Sequence, residues 1–148
     1  MPSLTLVNSA TNPVNRPMSD IIKIEEPFLI NEGVFTGNNA NLSISSGTLA
    51  VTSTSAGGCA YAHLTIVPYT VYNYSVQLVA NSAGDGKIAI GVGVGQTDYI
   101  DVTADTNGTT YTGTFTPTAA GNLATFSLIT NNNGRTLKWD DAKIWEDF

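Results

Sequence analysis

A chain of 148 residues, 42% hydrophobic and 12% charged, holds material for one compact domain with a buried core and an unusually uncharged surface. Thr, Asn, Ser and Gly replace the charge, which is not the charge-rich, core-poor composition of a disordered chain. Six Lys and Arg against twelve Asp and Glu give a formal net charge of −6, the wrong sign for counterion-driven binding to nucleic acid. No run approaches the length of a membrane span, and the N-terminus carries neither a basic nor a long apolar stretch, so no membrane partner or secretory signal is expected.

Residues 1–30 hold four of the six prolines, Pro2, Pro13, Pro17 and Pro27, and three short apolar bursts. The bursts are Leu4-Thr5-Leu6-Val7, Ile21-Ile22-Lys23-Ile24 and Phe28-Leu29-Ile30. Each proline removes a ladder donor and pushes its predecessor toward extended geometry. The segment reads as an extended arm whose apolar residues must find burial on the body, on a neighbouring subunit or on another protein.

Residues 31–148 read as one sandwich domain with period-two patterning. Leu42-Ser43-Ile44 and Leu49-Ala50-Val51 flank Ser45-Ser46-Gly47, which predicts a hairpin. Ala62, Leu64 and Ile66 alternate with His63, Thr65 and Val67, and Tyr72, Tyr74, Val76 and Leu78 share the apolar face of the next strand. After the turn at 81–86, Ile88, Ile90, Val92 and Val94 alternate with Ala89, Gly91, Gly93 and Gly95. Tyr111-Gly113-Phe115 and Ala124-Phe126-Leu128 follow, then a last strand through Trp139 to Trp145. In that strand Leu137 and Trp139 have one parity and Ala142 and Ile144 the other, which predicts a β-bulge at Asp140-Asp141. No segment sustains helical spacing. The expected class is all-β, an antiparallel β-sandwich with an N-terminal arm.

Five segments resemble the jelly-roll carbohydrate-binding modules typified by the CenC-type cellulose-binding domains, and more closely the copies of that fold in structural proteins of tailed bacteriophages. They are Asn31-Glu32-Gly33-Val34-Phe35, Gly47-Thr48-Leu49-Ala50-Val51, the stretch from Val67-Pro68-Tyr69 to Val76, Thr114-Phe115-Thr116-Pro117-Thr118-Ala119, and Trp139-Asp140-Asp141-Ala142-Lys143-Ile144. Two departures stand out. Thr36 occupies the position where many members carry a carboxylate that helps hold structural calcium, so no metal is expected, and Asp141 is the residue a calcium ion would use. Tyr69 replaces the turn glycine, which suggests a different turn geometry.

The chemistry-bearing side chains are few. Adjacent aspartates on a strand point to opposite faces, so Asp140 and Asp141 do not form a catalytic pair. His63 has no nearby nucleophile or orienting partner and reads as a solvent-facing strand residue. Cys59 has no basic neighbour and reads as a small, semi-buried residue. With a single cysteine, no disulfide or thiolate-rich zinc site can form, and no cofactor is expected. Tyr72 and Tyr74 belong to the core face, which leaves Tyr69, Tyr99 and Trp145 as candidate sugar-stacking rings. The stripe Ala89-Gly91-Gly93-Gly95 reads either as a face beneath a loop of the same domain or as subunit packing around a symmetry axis.

The leading expectation is a non-enzymatic virion protein, a capsid decoration (cement) protein on the outer surface of a tailed-phage head, assembled in the host cytoplasm. Its partners would be the major capsid protein and itself, with a homotrimer favoured. Interface candidates are Leu4, Leu6, Val7, Ile21, Ile22 and Ile24 of the arm, with Gly91 and Gly93. The alternative is a glycan-binding module, on a phage tail or fibre or free-standing. An enzyme ranks last, for want of a paired acid and base.

Overall fold

The computed structural model describes residues 35–45, 47–81, 85–118 and 123–147. Ten strands make up the described part: β1 (Thr36–Asn38), β2 (Ala40–Ser45), β3 (Thr48–Ser53), β4 (Gly58–Thr65), β5 (Tyr72–Asn81), β6 (Gly86–Gly91), β7 (Ile100–Ala104), β8 (Thr109–Phe115), β9 (Leu123–Thr130) and β10 (Thr136–Glu146). They form two five-stranded sheets, β1-β4-β9-β6-β7 and β2-β3-β10-β5-β8, so the chain is an antiparallel β-sandwich. Among the described residues there is no helix.

Period two decides the inside. In β4, Ala62 and Leu64 are buried while His63 and Thr65 are exposed. In β5, Tyr72, Tyr74, Val76 and Leu78 all face the core. Opposite them stand Ile88 and Ile90 of β6 and Phe126 and Leu128 of β9, and the whole surrounds a fully buried Trp139. Phe35 packs on Phe126 with ring centroids 6.0 Å apart. Tyr72 pairs with Phe115 across β5 and β8 and stacks on it at 5.6 Å. Gly113 lies opposite Tyr74, where a Cβ would come within 2.8 Å of the tyrosine ring, so the missing side chain makes room for the aromatic one.

The two local features expected from sequence are present. Ser45 pairs with Thr48, closing the β2–β3 hairpin over residues 46 and 47. In β10, Leu137, Trp139, Ala142 and Ile144 are all buried, across the expected change of parity. Asp141 supplies the extra residue: it takes φ +53°, and its N–H donates to Asp140 Oδ1 at 2.8 Å. An aspartate tolerates that left-handed conformation better than a β-branched residue does.

At the far end, Asp85 ties the loops together. Its Oδ1 accepts from Asn132 Nδ2 at 2.6 Å, its carbonyl accepts from the Asn131 N–H at 2.8 Å, and Arg135 Nε lies 3.7 Å from Oδ2. Ser53 joins the same loop, its N–H donating to the Arg135 carbonyl at 3.0 Å. These contacts hold residues 131–135 against β3 and serve the fold.

Two outcomes follow. In urea unfolding, Asp141→Val lowers stability by about 1–2 kcal/mol through left-handed strain, whereas Asp141→Gly stays within about 1 kcal/mol of the parent. Burial pushes both the Cys59 thiol and the Tyr74 phenol above their ordinary values. The unfolded chain therefore ionises first at these two groups as pH rises, so thermal melts show stability declining above about pH 8.5. Cys59→Ala removes the earlier part of that decline.

Candidate functional site

Strand β9 is buried on both faces: every residue from Ala124 to Thr130 is buried. Its even-numbered side chains enter the main core. Its odd-numbered ones, Thr125, Ser127 and Ile129, point away from it and are covered by a second, smaller cluster. That cluster joins Cys59, Ala89 and Ile129, with Tyr61 and Val94 packed against it. Val94 belongs to the segment 92–98, which turns back over the outer face of its own sheet. The Gly95 N–H donates to Ser127 Oγ at 2.9 Å, and Asp98 Oδ2 accepts from the Val92 N–H at 3.0 Å. Gly91 allows the reversal, since a Cβ there would lie 2.6 Å from both Asp98 Oδ2 and the Gln96 carbonyl oxygen.

This corrects the reading of an Ala89-Gly91-Gly93-Gly95 stripe along one strand. Strand β6 ends at Gly91. Ala89 and Gly91 are buried, while Gly93 and Gly95 belong to the returning segment, where the Gly93 carbonyl accepts from the Gln96 N–H at 3.1 Å. The small residues serve a loop of the same domain, one of the two readings the stripe allowed.

Among the described residues, the returning segment does not cover His63 and Thr65 on the outward side of β4, and both are exposed. Tyr61 is half-buried and His63 is exposed, and their rings meet edge to face at 5.2 Å and 62°. His63 Nδ1 lies 2.9 Å from Thr125 Oγ1, which fixes the imidazole against the sheet and leaves Nε2 as its other polar atom. Tyr61 sits opposite Thr36 of β1, which is exposed, and Thr65 continues the same outward row. No Asp, Glu, Lys or Arg occurs in β4. The result is a ring platform bordered by hydroxyls and one imidazole nitrogen, suited to a neutral ligand with both an apolar face and hydroxyl groups.

Sequence reasoning placed His63 toward solvent but passed over Tyr61. The available signal was parity, since Tyr61, His63 and Thr65 alternate with the core residues Ala62 and Leu64. Next to Tyr61 in the same outward row, Cys59 is 1% exposed, more deeply buried than expected. Burial raises its thiol pKa, partly opposed by hydrogen bonds with Ser127 and Asn38. It has the environment of an inert structural thiol.

The expected stacking rings stand on three separate elements. Tyr69, in the β4–β5 loop, is 75% exposed. Its φ of +65° lies in the left-handed region that favours glycine. Tyr99 is partly buried, packs on the core and stacks on Phe115 at 6.1 Å. Trp145 is partly buried at the end of β10. Asp141 is exposed, and among the described residues no group of three or more His, Cys, Asp or Glu side chains converges. Leu4, Leu6, Val7, Ile21, Ile22 and Ile24 lie outside the described residues.

No family model and no curated protein matches the chain. Solved structures do. A CBM4 structure aligns with a TM-score of 0.58 at 15% identity, over 84% of this chain and 97% of the other. The CBM22-1 xylan-binding domain from Paenibacillus barcinonensis Xyn10C aligns with a TM-score of 0.57 at 22% identity, over 83% and 90%. A carbohydrate-binding module from Cellvibrio mixtus lichenase 5A, in complex with cellotriose, aligns with a TM-score of 0.52 at 14% identity, over 82% and 100%. At these identities the likeness shows a shared fold: this chain has the jelly-roll sandwich of carbohydrate-binding modules.

Proposed function

We propose that the chain is a non-catalytic glycan-binding module that takes a neutral oligosaccharide on the outward face of β4. The observation that carries this reading is the Tyr61–His63 ring pair, with His63 exposed and pinned by Thr125, and Tyr61 partly exposed, among the described residues. The fold shared with a xylan-binding domain and with a module complexed with cellotriose supports the same class of ligand.

The chemistry follows from the side chains. A pyranose ring presents C–H groups on its faces and hydroxyls at its rim. The Tyr61 ring offers an apolar surface to one face. His63 Nε2 and the hydroxyls of Thr36 and Thr65 are placed to exchange hydrogen bonds with the rim. Glycoside cleavage needs two carboxyl groups flanking the bond, and β4 carries none, so the platform binds without hydrolysing.

Capsid decoration, with its virion location, its major capsid protein partner and its trimer, rests on the arm of residues 1–30. That arm lies outside the described residues, so the ring face carries the function adopted here.

Calorimetric titration with xylan- and cellulose-derived oligosaccharides tests the proposal. The parent chain gives a saturable heat, and Tyr61→Ala weakens affinity about tenfold, the equivalent of about 1.4 kcal/mol. Tyr69→Ala leaves affinity unchanged. The absence of heat with every neutral glycan, or unaltered affinity in Tyr61→Ala, would refute it.

A further inference from the structure

The Tyr61 ring stands in a corner, and the corner decides which part of a glycan fits there. Outward side chains of β4 run in the order Cys59, Tyr61, His63, Thr65, and their exposure rises along the row. Cys59 is buried, Tyr61 is half-buried, and His63 and Thr65 are exposed. The Cys59 end is closed by packing. Val94 and Tyr61 lie against the cluster of Cys59, Ala89 and Ile129, and Asn38, opposite Cys59 on β1, hydrogen bonds to its thiol.

The side toward β9 is closed as well. Ser127 pairs with Tyr61, and its hydroxyl accepts from the Gly95 N–H at 2.9 Å, which sets the backbone of the returning segment beside the tyrosine. One pair further on, Thr125 lies between His63 and Gly91. The segment rests directly on Gly91, where a Cβ would come within 2.6 Å of the Gln96 carbonyl oxygen and of Asp98 Oδ2. This wall is fastened at three points. Besides the Gly95 bond, the Val92 N–H donates to Asp98 Oδ2 at 3.0 Å and the Tyr99 N–H to the Ile90 carbonyl at 2.9 Å. Moving it aside would take from the buried Ser127 hydroxyl its Gly95 partner, which is costly inside a protein.

A pyranose stacked on Tyr61 therefore has protein on two adjoining sides. A linear chain passing straight along β4 meets the closed Cys59 end, and one passing straight across the strands meets the wall. Resting on the reading of this face as a glycan site, we propose that it recognises the terminus of a neutral glycan chain. The terminal ring lies on Tyr61, and the following units run over His63 toward Thr65. At the rise of a β-strand that row spans about 14 Å, room for about three pyranose rings. An end ring seated in the corner gains contacts on its flanks that a ring in mid-chain cannot make.

Calorimetric titration of the full chain with xylan- and cellulose-derived oligosaccharides of increasing length tests this. Affinity is expected to rise up to about three units and stay level beyond, with one copy of the protein per glycan chain at every length. Long chains capped chemically at the reducing end, and others capped at the non-reducing end, form the second arm. One cap weakens binding at least about tenfold and the other leaves it unchanged. Several copies loading onto one long chain, or indifference to both caps, overturns end recognition and leaves the glycan site standing. The absence of heat with every neutral glycan overturns both.

Discussion

The two-sided burial of β9 is the constraint on which the rest of the molecule depends. One face of this strand sends Phe126 and Leu128 into the main core against the second sheet. The other presents Thr125 and Ser127, whose buried hydroxyls need partners. Ser127 finds one in the Gly95 N–H and Thr125 in the His63 imidazole. Satisfying two hydroxyls thus draws the segment 92–98 over one half of the sheet and fixes the imidazole that borders the other half. Where the segment stops, the open ring surface begins.

The same economy explains a surface with so little charge. Ion pairs among the described residues are few and peripheral, such as Lys87 with Asp101 at 3.4 Å. Exposed pairs of this kind contribute little to stability. Cohesion comes instead from apolar area and from hydroxyl and backbone hydrogen bonds, as where Thr52 and Thr136 join across β3 and β10 at 2.7 Å. Such a surface suits ligands rich in hydroxyls and lacking charge, because recognition then needs no ion to be stripped of water.

Much of this was legible in the sequence wherever alternation and parity suffice. The β2–β3 hairpin, the core faces of β4 and β5, and the parity change at Asp140-Asp141 are all local patterns with a single structural solution. The alternation of Ile and Val with Ala and Gly over residues 88–95 is different, because it reads the same whether a strand continues or turns back at Gly91. The Ser127 hydroxyl that captures the returning segment lies more than thirty residues away in the chain. Parity likewise cannot see that Tyr99 is drawn onto Phe115, or that Tyr61 lies edge-on to His63, since both are matters of packing between rings. Nothing in the residue type at Tyr69 signals its left-handed backbone, φ +65°, which an aromatic residue rarely adopts.

Residue-resolved NMR during titration with a xylan-derived oligosaccharide tests most directly whether β9 burial leaves the Tyr61–His63 surface as the ligand face. Progressive shifts at Thr36, Tyr61, His63 and Thr65, with residues 92–98 retaining their contact to Ser127, are the predicted result. Shifts centred instead on residues 67–71, or displacement of Gly95 from Ser127 on binding, would contradict it.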